Sequence, residues 1–113
     1  MNKKDIIWIK NFGNKKSGED PFSRKVNYYE YNTQSEQSWT IDHIWPLSLN
    51  GSNDAANCQI LAYSSNEEKK NLLQGNINYT TFAVKKIETV GNGKIIGRTK
   101  VRIDNEWYWA YDE

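Results

Sequence analysis

The sequence predicts an α+β domain in which one helix sits between two groups of β-strands. Three observations lead there. Aromatic and β-branched runs at residues 26–31 and 39–44, with a short apolar run at 58–61, supply strand signals in the first half. A helix-start signature follows at residues 64–68, and the last third returns to strand patterning broken by tight turns. The 113 residues hold no internal repeat and no low-complexity linker, so one domain with one core is expected over 1–113. Within it, residues 39–74 form the expected central unit, 1–38 an N-terminal extension with added strands, and 79–112 a C-terminal β meander.

Residues 14–20 are polar and contain glycine, and read as a loop; 26–31 read as a strand. A polar connection over 33–38 leads to the β run 39–44, which Pro46 closes because it has no N–H to give a ladder. Turn formers crowd residues 50–54, and the short apolar run Cys58-Gln59-Ile60-Leu61 follows. Ser64 stands three residues before Glu67, and Ser65 three before Glu68. In that spacing hydroxyl and carboxylate satisfy the free amides at a helix start. Lys69 and Lys70 suit the far end of the helix dipole and Gly75 is the expected stop, so the helix is placed over 65–74.

Residues 80–88 are β-prone, Gly91-Asn92-Gly93 is a turn, 94–103 is a strand, and Asp104-Asn105 turns the chain into 107–111. Arg98, Lys100 and Arg102 alternate with Thr99, Val101 and Ile103, so one face of that strand is basic and the other apolar. The basic face reads either as a ribbon that tracks phosphates or as a solvated outer face whose charge protects an edge. Trp107, Trp109 and Tyr111 also share a face. The tryptophans are expected to fill a core short of aliphatic residues; exposed, they would be interface anchors or base-stacking platforms.

Composition narrows the function classes. Aromatic residues make up 13% and offset an apolar fraction of only 37%, since each buried ring hides about 150–250 Å², so disorder is not expected. The strongest apolar stretch near the start, Ile6-Ile7-Trp8-Ile9, is too short for a membrane span or a signal-peptide core. A single cysteine, Cys58, leaves no internal disulfide framework and no paired-cysteine zinc staple. The chain therefore reads as a soluble cytoplasmic protein with no membrane partner. Its net charge of +1 conceals strong segregation. Residues 1–25 carry seven Lys/Arg and three acids, 26–68 carry six acids and no Lys or Arg, and 69–102 carry eight Lys/Arg and one acid. An acidic middle between basic arms is what a divalent metal beside a polyphosphate requires, although surface coating alone also produces charge blocks.

The segment richest in chemistry is Ile41-Asp42-His43-Ile44-Trp45-Pro46, followed by Asn57 and Asn66. Folded as strand, loop, strand and capped helix, these residues can converge. Phosphodiester hydrolysis needs a water, a base to deprotonate it, and a sink for the developing negative charge. Asp42 offers an anionic oxygen and Asn66 a neutral carbonyl oxygen to a hard divalent ion. His43, the only histidine, suits the base. Asn57 either holds the loop or accepts from the imidazole Nδ1–H and so fixes its tautomer. Adjacent residues in a regular strand point to opposite faces, so Asp42 and His43 converge only where the strand ends or twists.

At these residues the sequence resembles the HNH endonuclease family, the ββα-metal (His-Me finger) nucleases, in an H-N-N form. The likeness runs over residues 39–73, with spacings of fourteen and then nine residues between His43, Asn57 and Asn66. It extends back to Asp20-Pro21-Phe22-Ser23-Arg24, which resembles a D-x-F-G-R stretch with Ser23 in the glycine position. Asn50-Gly51 stands where the family has two glycines, and the zinc-binding cysteine pairs of many members are absent. The resemblance implies a ββα-metal core and hydrolysis of DNA, with His43 as general base, Asn57 organising the loop, and one Mg²⁺ or Mn²⁺ on Asp42 and Asn66. Arg24, Lys25, Lys69, Lys70, Arg98, Lys100 and Arg102 are the expected nucleic-acid contacts. The other reading is a non-catalytic module that binds nucleic acid or protein on the same scaffold.

Overall fold

The computed structural model describes residues 1–111. Two helices and three antiparallel sheets make up an α+β fold. The chain opens with helix α1, Lys3–Phe12, which sequence reasoning did not foresee. Its start is nonetheless written in the sequence, because the Asn2 side chain accepts from the Asp5 amide and caps the first turn. Ile7 and Trp8 are its buried face. The segment read as a loop contributes β1, Ser17–Glu19, paired with β2, Lys25–Asn27. The longer strand expected over 26–31 ends early, because residues 28–30 turn into a short 3₁₀ segment capped by Asn27.

Strands β3, Trp39–His43, and β4, Cys58–Ala62, pair in the register Trp39 with Ala62 through His43 with Cys58. Helix α2, Tyr63–Lys69, follows directly. It begins and ends earlier than expected. No side chain caps its start, and the hydroxyls of Ser64 and Ser65 instead accept from the Arg24 guanidinium, which also pairs with Glu68. The helix stops at Lys70, whose φ is 50°, and Gly75 lies inside β5, Gln74–Ile77. Strands β6, Thr80–Thr89, β7, Ile95–Ile103, and β8, Glu106–Trp109, complete a four-stranded meander in the order β5-β6-β7-β8. Asp104 and Asn105 both have positive φ between Ile103 and Glu106, the left-handed pair that a tight two-residue hairpin demands.

The β3–β4 hairpin is covered on both faces. Trp39, Cys58, Ile60 and Ala62 join Ile7, Trp8 and Val26 in a cluster under α1. Leu61 joins Phe22, Ile44, Ile77, Phe82, Val84 and Val101 in a second cluster against the meander. Trp8 and Trp39 are buried, but Trp107 and Trp109 are 44% and 39% exposed. That corrects the expectation that the tryptophans all fill the core: β8 is an edge strand, and both indoles lie on the side of its sheet away from the Val101 cluster, where they stay partly open.

The turn at 20–24 fastens the second cluster. One Asp20 oxygen accepts from the Phe22 and Arg24 amides, and the other accepts from the Ala62 amide at the start of α2. Ser23 sits between them with φ at 64°, a conformation that a side chain resists and glycine adopts freely. Ser23→Gly is expected to raise stability by about 0.5–1 kcal/mol, read as a higher urea midpoint at unchanged m-value.

Candidate functional site

The expected site residues come from β3, the loop after it, and α2. Pairing places Asp42 opposite Gln59 and His43 opposite Cys58, so the two side chains leave the strand on opposite faces. They nevertheless border one cleft. Its wall runs along the outer edge of β3 through Asp42 and His43, across the 46–48 turn, and back along α2 through Asn66 and Lys70. The open space is about 340 Å³. Asp42, His43 and Asn66 are thus brought to one place, and Lys70 with them.

His43 is half-buried at the cleft mouth, with Nε2 2.7 Å from Asn53 Oδ1. The Lys3 ammonium donates to the same Oδ1 at 3.1 Å and to the Asn53 carbonyl at 2.6 Å. An ammonium can only donate, so it fixes which end of the amide is oxygen. Nε2 must then carry the hydrogen, and the neutral ring keeps its lone pair on Nδ1. Asn53 therefore fixes the tautomer, one of the two roles considered for Asn57, and does so at Nε2 rather than at Nδ1. The signal was slight: Asn53 lies in a dense run of turn formers, and its partner Lys3 is 50 residues away.

Asn57 is fully buried and spent on the backbone. Its Oδ1 accepts from the Trp45 amide at 3.0 Å and the Gly97 amide at 2.9 Å. Its Nδ2 donates to the carbonyls of Trp45 at 2.9 Å and Ser52 at 2.7 Å. Both lone pairs and both hydrogens are used, so nothing is left for the imidazole. Of the two roles considered, Asn57 fills the loop-holding one; as a catalytic group it is corrected. Gly51 closes the same loop, since a Cβ there would stand 1.8 Å from the Trp45 carbonyl oxygen.

Asp42 is 6% exposed and its carboxylate is held from within. Gln59 Nε2 donates to Oδ2 at 3.0 Å, and the Lys69 ammonium lies 3.2 Å from Oδ2 and 3.4 Å from Oδ1. Lys69, 0% exposed, also donates to the Ile44 carbonyl. Burial pushes the Asp42 carboxyl above its ordinary range, against the opposing pull of Lys69 and Gln59. Lys69 as a nucleic-acid contact is therefore corrected, because a cation wholly inside the protein and paired with a carboxylate cannot reach a phosphate outside.

The other expected contacts divide. Arg24 is engaged with Ser64, Ser65 and Glu68. Lys25 and Lys70 are exposed. Arg98 and Lys100 flank the Trp109 ring, at 5.6 and 4.5 Å from its centroid, and Arg102 donates to Asn105 at 2.8 Å. Burial raises the Cys58 thiol, and its Sγ donates to the Asp54 carbonyl, a packed and unreactive setting.

Comparison with known proteins finds no matching family model, no matching curated protein and no matching solved structure. The site must be judged on its own chemistry. Among the described residues no three His, Cys, Asp or Glu side chains gather to hold a metal ion. The available donors are oxygens: the Asp42 carboxylate, whose lone pairs outnumber its two partners, and the Asn66 amide, which makes no hydrogen bond to the described residues. That set fits one hard dication held weakly, because Lys69 already neutralises the only carboxylate in the cleft.

Two outcomes follow from this geometry. Lys69→Met leaves a buried carboxylate unpaired and is expected to cost about 3–5 kcal/mol in chemical denaturation, with most of the loss recovered in Lys69→Met/Asp42→Leu. The His43 ring is expected to show a protonated Nε2 and a bare Nδ1 in long-range ¹H–¹⁵N spectra at pH 8. Asn53→Ala should mix the two tautomers.

Proposed function

We propose that this chain is a metal-dependent endonuclease of the HNH type, built on a ββα-metal core, that hydrolyses phosphodiester bonds in DNA. The observation that carries the reading is the shared cleft of the adjacent Asp42 and His43 on β3 with Asn66 on α2, more than twenty residues further along the chain. The β3–β4 hairpin followed directly by α2 supports the same core. His43 takes the proton of the attacking water at Nδ1, and its Nε2–H stays on Asn53 while the ring becomes cationic. Lys70, exposed on the cleft wall, receives a phosphate oxygen of the substrate. Asp42 and Asn66 would hold one Mg²⁺ or Mn²⁺, which when bound supplies Lewis-acid charge to the phosphate. The meander, with Lys100 and Arg102 on its outer face, grips the backbone away from the cleft.

A second reading is a non-catalytic module that binds nucleic acid or protein on the same scaffold. The Lys69 ammonium on Asp42 favours it, since a carboxylate already satisfied needs no cation. Supercoiled plasmid separates the two. Nicking is expected with Mg²⁺ or Mn²⁺ and none with EDTA. His43→Ala should lower the rate at least about 100-fold while leaving plasmid binding within about twofold. No metal-dependent cleavage by the wild type, or equal cleavage by His43→Ala, would sink the nuclease and leave the binding module.

A further inference from the structure

The outer face of the meander has a composition that neither packing nor the cleft chemistry explains. Register places its residues in rows across the strands. Asn76, Thr81, Arg102 and Trp107 form one row. Gln74, Ala83, Lys100 and Trp109 form the next, and Lys85 lies opposite Arg98 in a third. Directly paired residues share a face, so cations, amides and two indoles stand together on one surface. The strand residues in these rows include no Asp or Glu. Along β7 the cations recur about every 7 Å, the repeat of alternate residues in a strand.

This surface is shaped as well as charged. Trp107 reaches across to wall a hollow of about 580 Å³ floored by Thr81 and Ala83, with the Gln74 and Asn76 amides and Lys85 around it. The floor residues are small, so a flat ring can lie over them. Trp107 presents an indole that is 44% exposed, and Lys100 braces Trp109 at 4.5 Å from its centroid. A side-chain amide carries one donor group and one acceptor, the pattern that reads the edge of an unpaired base. Inside a duplex those edges are paired and the ring faces are stacked. Positive charge without acids, an aromatic wall and adjacent amides select an anionic polymer with accessible flat rings.

We infer that this face is a binding site for single-stranded nucleic acid, with an unpaired base stacked on Trp107 in the hollow and neighbouring phosphates on Lys85, Lys100 and Arg102. The site shares with the proposed nuclease its partner class and the backbone-gripping Lys100 and Arg102, but none of the cleft residues or their chemistry, and it stands if the cleft proves inert. It would direct the protein to strands already open, such as flaps, loops and nicked ends.

The test is fluorescence anisotropy of a labelled 12-nucleotide mixed-sequence single strand against the full chain in EDTA, where metal-dependent cleavage is silent. Binding is expected to be at least tenfold tighter than to the same sequence as a duplex, with quenching of tryptophan emission. Trp107→Ala should weaken it about tenfold or more, and Trp107→Phe should restore most of the loss. Arg102→Ala should reduce the slope of log affinity against log salt by about 0.7. Equal binding of wild type and Trp107→Ala would overturn the inference, as would a loss that phenylalanine does not repair. A glutamate-rich polypeptide that competes with the same dependence on Trp107 would also overturn it, assigning the face to a protein partner. Plasmid nicking plays no part in the readout, so failure here and failure of the nuclease reading are distinguishable.

Discussion

One buried amide joins the two halves of this protein. Asn57 bonds both the N–H and the C=O of Trp45, the Ser52 carbonyl, and the Gly97 amide on β7. The loop between β3 and β4 has only two short 3₁₀ turns and no strand of its own, and that side chain ties its two ends together. Gly51 helps by allowing the backbone to close on Trp45, and the Ser52 amide reaches the Ile95 carbonyl on the same strand as Gly97. The clamp holds the loop that carries Asn53, and Lys3 holds the Asn53 amide itself, so the two together set the orientation of the His43 ring. A residue that touches no substrate thus helps set the geometry of the one proposed to act as base.

Asp42 and His43 solve the problem of adjacent residues in a strand by using its edge. Each side chain departs on its own face, and the cleft lies where both are reached from the side. The two are then supported in different ways. His43 is oriented by exposed and half-buried polar groups, Asn53 and Lys3, which can move with a ligand. Asp42 is fixed by buried groups, Lys69 and Gln59, which cannot. For the proposed nuclease, this would set a fixed anion beside a base free to adjust as substrate enters. The pair also gives Asp42 a structural role that needs no chemistry, because removing either partner strands a buried charge.

Much of this was readable in the sequence where the signal was local. The last three strands of the meander followed from β-prone and alternating runs, and the turns between them from glycine and from Asp104-Asn105, since these features act over a few residues. Strands β3 and β4 were legible for the same reason. Strand β5 and its turn at Asn78-Tyr79, read as helix end and connection, were not. What escaped depended on distant partners. The hydroxyls of Ser64 and Ser65 looked like helix caps, but Arg24, forty residues earlier, claims them. Lys69 looked like a surface cation and is instead pulled inward by Asp42. Helix α1 was hidden by its own apolar run, where four consecutive large residues mask the spacing of Ile7 and Trp8 and draw attention from the Asn2 cap. The exposure of Trp107 and Trp109 also lay beyond local reading, because alternation tells which residues share a face but not whether anything covers it.

The hairpin of β3 and β4 is only two strands wide, yet it borders both hydrophobic clusters. It acts as a party wall: α1 leans on one side, the meander on the other, and neither neighbour can peel away without stripping the partition between them. Motions that open the middle of the chain should therefore be scarce, and restricted to events that dismantle the whole building. Whatever the β3 edge engages, it does so from the least yielding part of the molecule, with adaptation left to the polar fringe that surrounds it.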